Sequence, residues 1–158
     1  MRYKKINEVK AIFNKISCNY DFLNSLLSLG LHKYWKIKLV DLLKPIDGEN
    51  WADLCCGTGD LSFLIFRKVS PNGSVTGIDN AKEILNIAME KSKLIDKKII
   101  SWEKQDVLEI DEDLKIYDGI CMSYGLRNLV NVEKGLKKVF NLLSDEGRAG
   151  FLDFNHCK

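Results

Sequence analysis

From Trp51 to Phe154 short apolar runs, each closed by a glycine, a serine or an acid, alternate with stretches whose apolar residues recur at helical spacing. Trp51 to Leu54 is the first such run and enters Cys55-Cys-Gly57-Thr-Gly59. A helix then starts with Leu61, Leu64 and Ile65 and stops at Ser70-Pro71-Asn72-Gly73, a strong turn signal. Ser74 to Asp79, Ile99 to Gln105, Tyr117 to Ser123 and Arg148 to Phe154 read as further strands. A helix from Asn131 to Leu143 is expected to bury Val132, Leu136, Val139, Phe140 and Leu143. Strand–helix alternation of this kind predicts an α/β protein with a doubly wound, mostly parallel sheet covered by helices. Ligands of such sheets sit at the carboxyl ends of the strands, so residues just after each strand are the candidates for function.

Upstream, Val9, Ile12, Phe13 and Ile16, then Leu23, Leu26 and Leu27, then Trp35, Leu39, Leu42 and Leu43 share helical stripes, with Trp35 expected in a helix core. Lys44-Pro-Ile-Asp-Gly48 is a turn. Residues 1–45 are therefore expected to form a helical cap within the same domain, and 46–158 its Rossmann-like core. The cap carries a net charge of +6 against −4 for the remainder. Such a surface could meet an anionic lipid headgroup layer, although a solvated lysine-rich helix face gives the same count. The overall +2 offers little for nucleic acid, and no apolar run approaches the roughly 20 residues of a membrane span. Five cysteines, two adjacent (Cys55 and Cys56) and three scattered, without a C-x-x-C pair, suit a reducing cytoplasm, and no metal site is expected.

Asp53-Leu-Cys-Cys-Gly57-Thr-Gly59-Asp60 lies between the first strand and its helix. Its glycines allow a sharp turn and close approach of the backbone to a ligand. A dinucleotide fingerprint needs a third glycine at position 62, where Ser62 stands. Asp79 ends the second strand, twenty residues after Gly59, where a carboxylate can accept from both ribose hydroxyls. Asn80 and Glu83 would form a capping box for the next helix. Asp106, followed by Val107, ends the third strand. As isolated residues, Asp79 could be a helix cap and Asp106 a surface turn.

The acid-x-x-x-Gly-x-Gly pattern resembles the first motif of the S-adenosylmethionine methyltransferases. Asn19-Tyr20-Asp21-Phe-Leu-Asn24, Ser28-Leu-Gly-Leu-His32-Lys-Tyr-Trp35 and Tyr124-Gly-Leu-Arg127-Asn128 together resemble the ubiquinone/menaquinone biosynthesis C-methyltransferases, with the phylloquinone/menaquinone branch nearest. Two positions depart from that pattern: Ser144-Asp-Glu-Gly147 before the fifth strand, and Asp153-Phe-Asn155 at its end.

The resemblance implies a class I methyltransferase that uses S-adenosylmethionine without a metal to methylate the ring carbon of a lipophilic quinol. It further implies cofactor contacts from Tyr20, Asp53, Cys55, Gly57, Thr58, Gly59, Asp79, Asn80, Asp106, Val107 and Ser123. Tyr124, Arg127 and His32 become candidate catalytic groups, with His32 as base and Arg127 either facing the quinol oxyanion or paired with a carboxylate. Asn128 becomes a substrate contact. A cytoplasmic protein peripheral to the inner face of a membrane is the matching location. A methyltransferase of another acceptor, a nicotinamide-dependent oxidoreductase and a non-catalytic binding module are the competing readings. The implied sheet has seven strands, of which this sequence supplies five, so the last strands are expected to be missing. The fifth strand is then an apolar edge prone to self-association.

Overall fold

The computed structural model describes residues 31–93, 100–111 and 116–154. Five strands, β1 (Asn50–Leu54), β2 (Ser74–Asp79), β3 (Ile100–Lys104), β4 (Tyr117–Ser123) and β5 (Leu143–Leu152), form one sheet in the order β3-β2-β1-β4-β5. Every pairing is parallel. The described helices are α1 (Leu31–Leu43), α2 (Asp60–Val69), α3 (Lys82–Lys93) and α4 (Val132–Leu142). The order reverses between β1 and β4, the crevice in which such sheets hold ligands.

One core joins Leu39, Val40 and Leu43 of α1 to Leu61, Ile65, Phe66 and Val69 of α2, over Trp51, Val75 and Cys121. On the opposite face Val139 and Leu142 of α4 cover Ala52, Leu54, Ile78, Ile120 and Met122. Near-continuous burial of β1 and β4 follows from this two-sided cover. The helix α1 is tied down by Arg148 of β5. That side chain forks onto Glu49 (Nη1–Oε1 2.8 Å, Nη2–Oε2 2.8 Å), donates to the carbonyls of Leu43 and Lys44, and lies 4.9 Å from the Trp51 ring.

Two expected helix faces are corrected. Trp35 is half exposed and Leu42 is 79% exposed, because α1 buries the stripe His32, Leu39, Val40 and Leu43 instead. On α4, Val132, Leu136 and Phe140 face outward while Gly135, Val139 and Leu142 are buried. Gly135 explains the choice: a Cβ there would lie 2.5 Å from Leu129 Cδ1, so the helix seats on its smallest face. The fifth strand also begins earlier than expected, directly from α4. Its register against β4 is irregular between Tyr117 and Gly119, where Leu143 and then Arg148 are the partners.

Candidate active site

The site begins with a turn that only particular backbone conformations can make. After Leu54 the chain passes through Cys55 (φ 55), Gly57 (φ 57) and Gly59 (φ 85), three left-handed residues within five positions. Such angles are free to glycine and cost other residues roughly 1–2 kcal/mol. At Gly57 an added Cβ would meet nothing closer than Ile84 Cγ2 at 3.9 Å, so this side of the loop is open. At Gly59 it would strike Trp102 Cη2 at 2.5 Å, and at Gly77 the same ring at 2.5 Å. Trp102 therefore lies flat beneath the loop, tilted against Phe63 at 5.6 Å, with its indole N–H donating to Ser92 Oγ. The second glycine is required from inside the protein, by an indole, as well as by its φ.

Asp53 is not in the cleft, which corrects its expected place among direct cofactor contacts. It is 1% exposed and sits behind the loop. Oδ2 accepts from the amide (2.9 Å) and hydroxyl (2.6 Å) of Ser62, and Oδ1 accepts from Cys121 Sγ at 3.5 Å. The serine in place of a third glycine is thus the partner that anchors α2 to β1. Burial pushes the Asp53 carboxyl up to about 6, against the opposing pull of Ser62, Lys36 and Cys121.

Asp79 takes the role the sequence assigned to Asn80. Its Oδ2 accepts from Gly57 N and its Oδ1 from Ala81 N, both at 2.9 Å. It therefore shapes the glycine loop and opens α3, while Asn80 is exposed and makes no capping box with Glu83. Burial raises the Asp79 carboxyl, and the amides of Ala81, Gly57 and Asn80 restrain the rise. Two carboxylate oxygens offer about four lone-pair sites, so these three amides leave one acceptor position. Asn80, the next residue along the chain, lines an open polar depression of about 310 Å³ with Lys104, Gln105, Asp106 and Glu109. Asp106 caps the following turn through Leu108 N (2.9 Å), and Val107 buries its side chain in the core.

Across the crevice, Ser123 ends β4 and Tyr124 follows at φ 57, its amide donating to Leu152 O. Gly125 must be glycine here, since a Cβ would lie 2.6 Å from Cys55 Cβ; the two loops touch. The Cys55 thiol is pushed up to about 12, by burial first and then by Asp79, Asp53 and Asp106, so it stays protonated and non-nucleophilic. Thr58 is buried within the loop. Asn128 donates to the Tyr124 carbonyl at 3.1 Å. Of the two alternatives for Arg127, the pairing is the one observed: its amide and Nη1 donate to Asp153, at 3.1 and 2.6 Å. Its guanidinium lies 5.1 Å from the Phe154 ring and 5.6 Å from Tyr124, which stack on each other at 5.0 Å.

A cluster the sequence did not flag joins the cap to the loop. Lys36 of α1 pairs with Asp60 at 2.9 Å, and Lys91 of α3 approaches its other oxygen at 3.6 Å. Burial alone would raise the Asp60 carboxyl, but Lys36, then Lys91 and His32, bring it below its ordinary value. His32 is therefore buried near the first turn of α2. Tyr20 lies outside the described residues.

The fold recurs in a SAM dependent methyltransferase from Aquifex aeolicus (TM-score 0.68, 20% identity, covering 78% of this chain and 65% of that one). It recurs also in a putative S-adenosyl-L-methionine-dependent methyltransferase from Methanococcus maripaludis (TM-score 0.70, 17% identity, 87% and 63%). At the level of sequence, the ubiE/COQ5 methyltransferase family matches residues 1–158. The chain belongs to that family. Family relatives include the 2-phytyl-1,4-naphtoquinone methyltransferase of Thermosynechococcus vestitus, 41% identical over 96% of this chain and 66% of its own length. The chloroplastic 2-phytyl-1,4-beta-naphthoquinone methyltransferase of Arabidopsis thaliana is 39% identical, over 94% and 58%. The demethylmenaquinone methyltransferase of Lactococcus lactis is 34% identical, over 96% and 61%. The chain thus spans less than two thirds of the length of these ubiE/COQ5 relatives.

Proposed function

We propose that this member of the ubiE/COQ5 family binds S-adenosylmethionine at the carboxyl ends of β1, β2 and β3 and serves in C-methylation of a prenylated quinol ring. The observation that carries the cofactor half is Asp79: a carboxylate at the end of β2 that organises the glycine loop, keeps one acceptor position and is followed by Asn80 in the lining of a polar depression. A ribose fits that acceptor, and a heterocyclic base fits the space between Asn80 and Asp106. The open side of Gly57 suits the amino-acid portion. The acceptor half follows the naphthoquinone and menaquinone names of the relatives.

When bound, the sulfonium supplies a methyl group electrophilic enough to react with an electron-rich ring carbon. The protein's task is then alignment, which is worth roughly 7–11 kcal/mol when reactants are held in a reactive pose. Tyr124, Arg127 and Asn128 border the crevice on the β4 side and are the groups to orient the quinol. In our reading Arg127 meets the aryl oxygen while His32 receives the hydroxyl proton. As the carbon–methyl bond forms the sulfur–methyl bond breaks, leaving S-adenosylhomocysteine, and the methylated ring carbon then gives its own proton to water to restore aromaticity. A lipophilic acceptor would be met at the inner face of a membrane, with the basic sequence of residues 1–45 nearest the lipid, in a cytoplasmic protein. A methyltransferase of another small-molecule acceptor remains the second reading, since the Asp79 site does not depend on the acceptor.

Titration calorimetry with S-adenosylhomocysteine and with NADH tests the cofactor half. Saturable binding of the first only is expected; the reverse would overturn the proposal. Quinone profiles of cells lacking the gene test the acceptor half, the accumulating precursor naming the substrate.

A further inference from the structure

We infer that Asp153, at the end of β5, is a positioning residue that aims Arg127 at an anionic oxygen carried on an aromatic ring. The inference rests on the functional reading above and concerns a residue to which that reading gave no part. Asp153 grips Arg127 twice, through the backbone amide and through Nη1, and its Oδ1 also accepts from Phe154 N at 2.8 Å. Its side chain is 15% exposed against 36% for Arg127. An ordinary exposed ion pair holds two long side chains loosely and contributes little to stability. Here the backbone contact sets the register of the pair, and the rings of Tyr124 and Phe154 bound the guanidinium.

What this leaves over is specific. A guanidinium presents five N–H donors in a rigid fork. Asp153 uses a donor of Nη1, while Nε and Nη2 have no partner among the described residues. Those donors lie beside an aromatic wall, which is the environment a flat ring bearing O⁻ would require. The pair is nearly neutral as a whole, so it draws anions weakly from a distance and recognition depends on aim.

That near-neutrality makes the test one of sign. If Asp153 were a bystander, Asp153→Asn would unmask the arginine charge and strengthen anion binding. If Asp153 aims the fork, the same change weakens it. The probes are 2-naphthoate and its neutral isostere 2-naphthamide, titrated into the whole chain, with S-adenosylhomocysteine titrated into the same preparations. The unmodified chain should prefer naphthoate. Asp153→Asn and Asp153→Ser should each lose about tenfold in naphthoate affinity, with naphthamide and S-adenosylhomocysteine unchanged, and Asp153→Glu should recover most of the loss. Unchanged or tighter naphthoate binding in the Asn variant overturns the inference, as does a chain that binds naphthamide as well as naphthoate. Loss of S-adenosylhomocysteine binding in both neutral variants would make Asp153 merely structural and would also overturn it. Failure of the unmodified chain to bind S-adenosylhomocysteine would instead defeat the cofactor reading, which the naphthoate arm does not test.

Discussion

Two aspartates at strand ends do different jobs, and their surroundings decide which. Asp79 combines loop support with a remaining acceptor, so Asp79→Ala should both weaken S-adenosylhomocysteine at least about tenfold and cost about 1–2 kcal/mol of stability. Calorimetry and urea unfolding read the two effects separately; unchanged affinity would remove Asp79 from the site. Asp53 is a buried acid whose folded-state carboxyl is raised from 3.8 to about 6. Between those values the folded state holds the proton more tightly than the unfolded chain, so stability should fall as pH rises through that window. It should level off above it, the whole contribution being at most about 3 kcal/mol. Unfolding measured from pH 4 to 7 should show this decline in the unmodified chain relative to Asp53→Asn; a constant difference would contradict it. Asp53 and Asp79 were both visible as strand-end acids in the sequence. Their division of labour was not, because it depends on Ser62 and Cys121 lying behind one and Gly57 lying in front of the other. At Gly59 spacing marked a ligand position, and the structure adds a second constraint, Trp102, 43 residues further along the chain, where a Cβ would stand.

At the scale of elements, strands were legible and helix faces were less so. Each strand carries its own evidence, a short apolar run closed by a turn or an acid. For a helix, periodicity says which residues share a stripe but not which stripe meets the sheet. α4 has a bulky stripe in Val132, Leu136 and Phe140 and a compact one in Gly135, Val139 and Leu142; close approach favoured the compact one. On α1 the anchoring contact comes from Arg148, over a hundred positions away, which no local pattern contains. Arg148→Ala should therefore release the end of α1, remove the cation from Glu49 and the side-chain donor from two carbonyls, and cost about 2 kcal/mol or more. Arg148→Lys should recover only part of this, since a point charge cannot serve Glu49 as a fork does. Chemical denaturation of the two variants provides the comparison; equal stability of the lysine variant and the unmodified chain would show that charge alone suffices.

Over the whole molecule, the order of five parallel strands agrees with the strand–helix alternation of the sequence, and the candidate site falls at the carboxyl ends as that alternation requires. β5 pairs with β4 alone among the described residues, and Phe151 and Phe154 are exposed along it. Edge strands of this composition invite pairing with another copy. Sedimentation velocity should show concentration-dependent association of the chain and a shift toward monomer in Phe151→Lys; a monomer at all concentrations would remove the edge from consideration. The sheet also has a seam. β1, β2 and β3 meet through neighbouring segments of chain, but β4 reaches β1 only by placing Gly119 beside Trp51 and Cys121 beside Asp53, a separation of 68 residues. Closing so long a loop costs entropy before any contact compensates it, so the seam should be the slow step of folding. At its first pair the Trp51 ring occupies the place where a Gly119 side chain would stand. The two halves of the sheet, β3-β2-β1 and β4-β5, are thus joined by a tryptophan in the space of a missing methyl group. The order in which the sheet assembles is set by the entropy of bringing those two halves together.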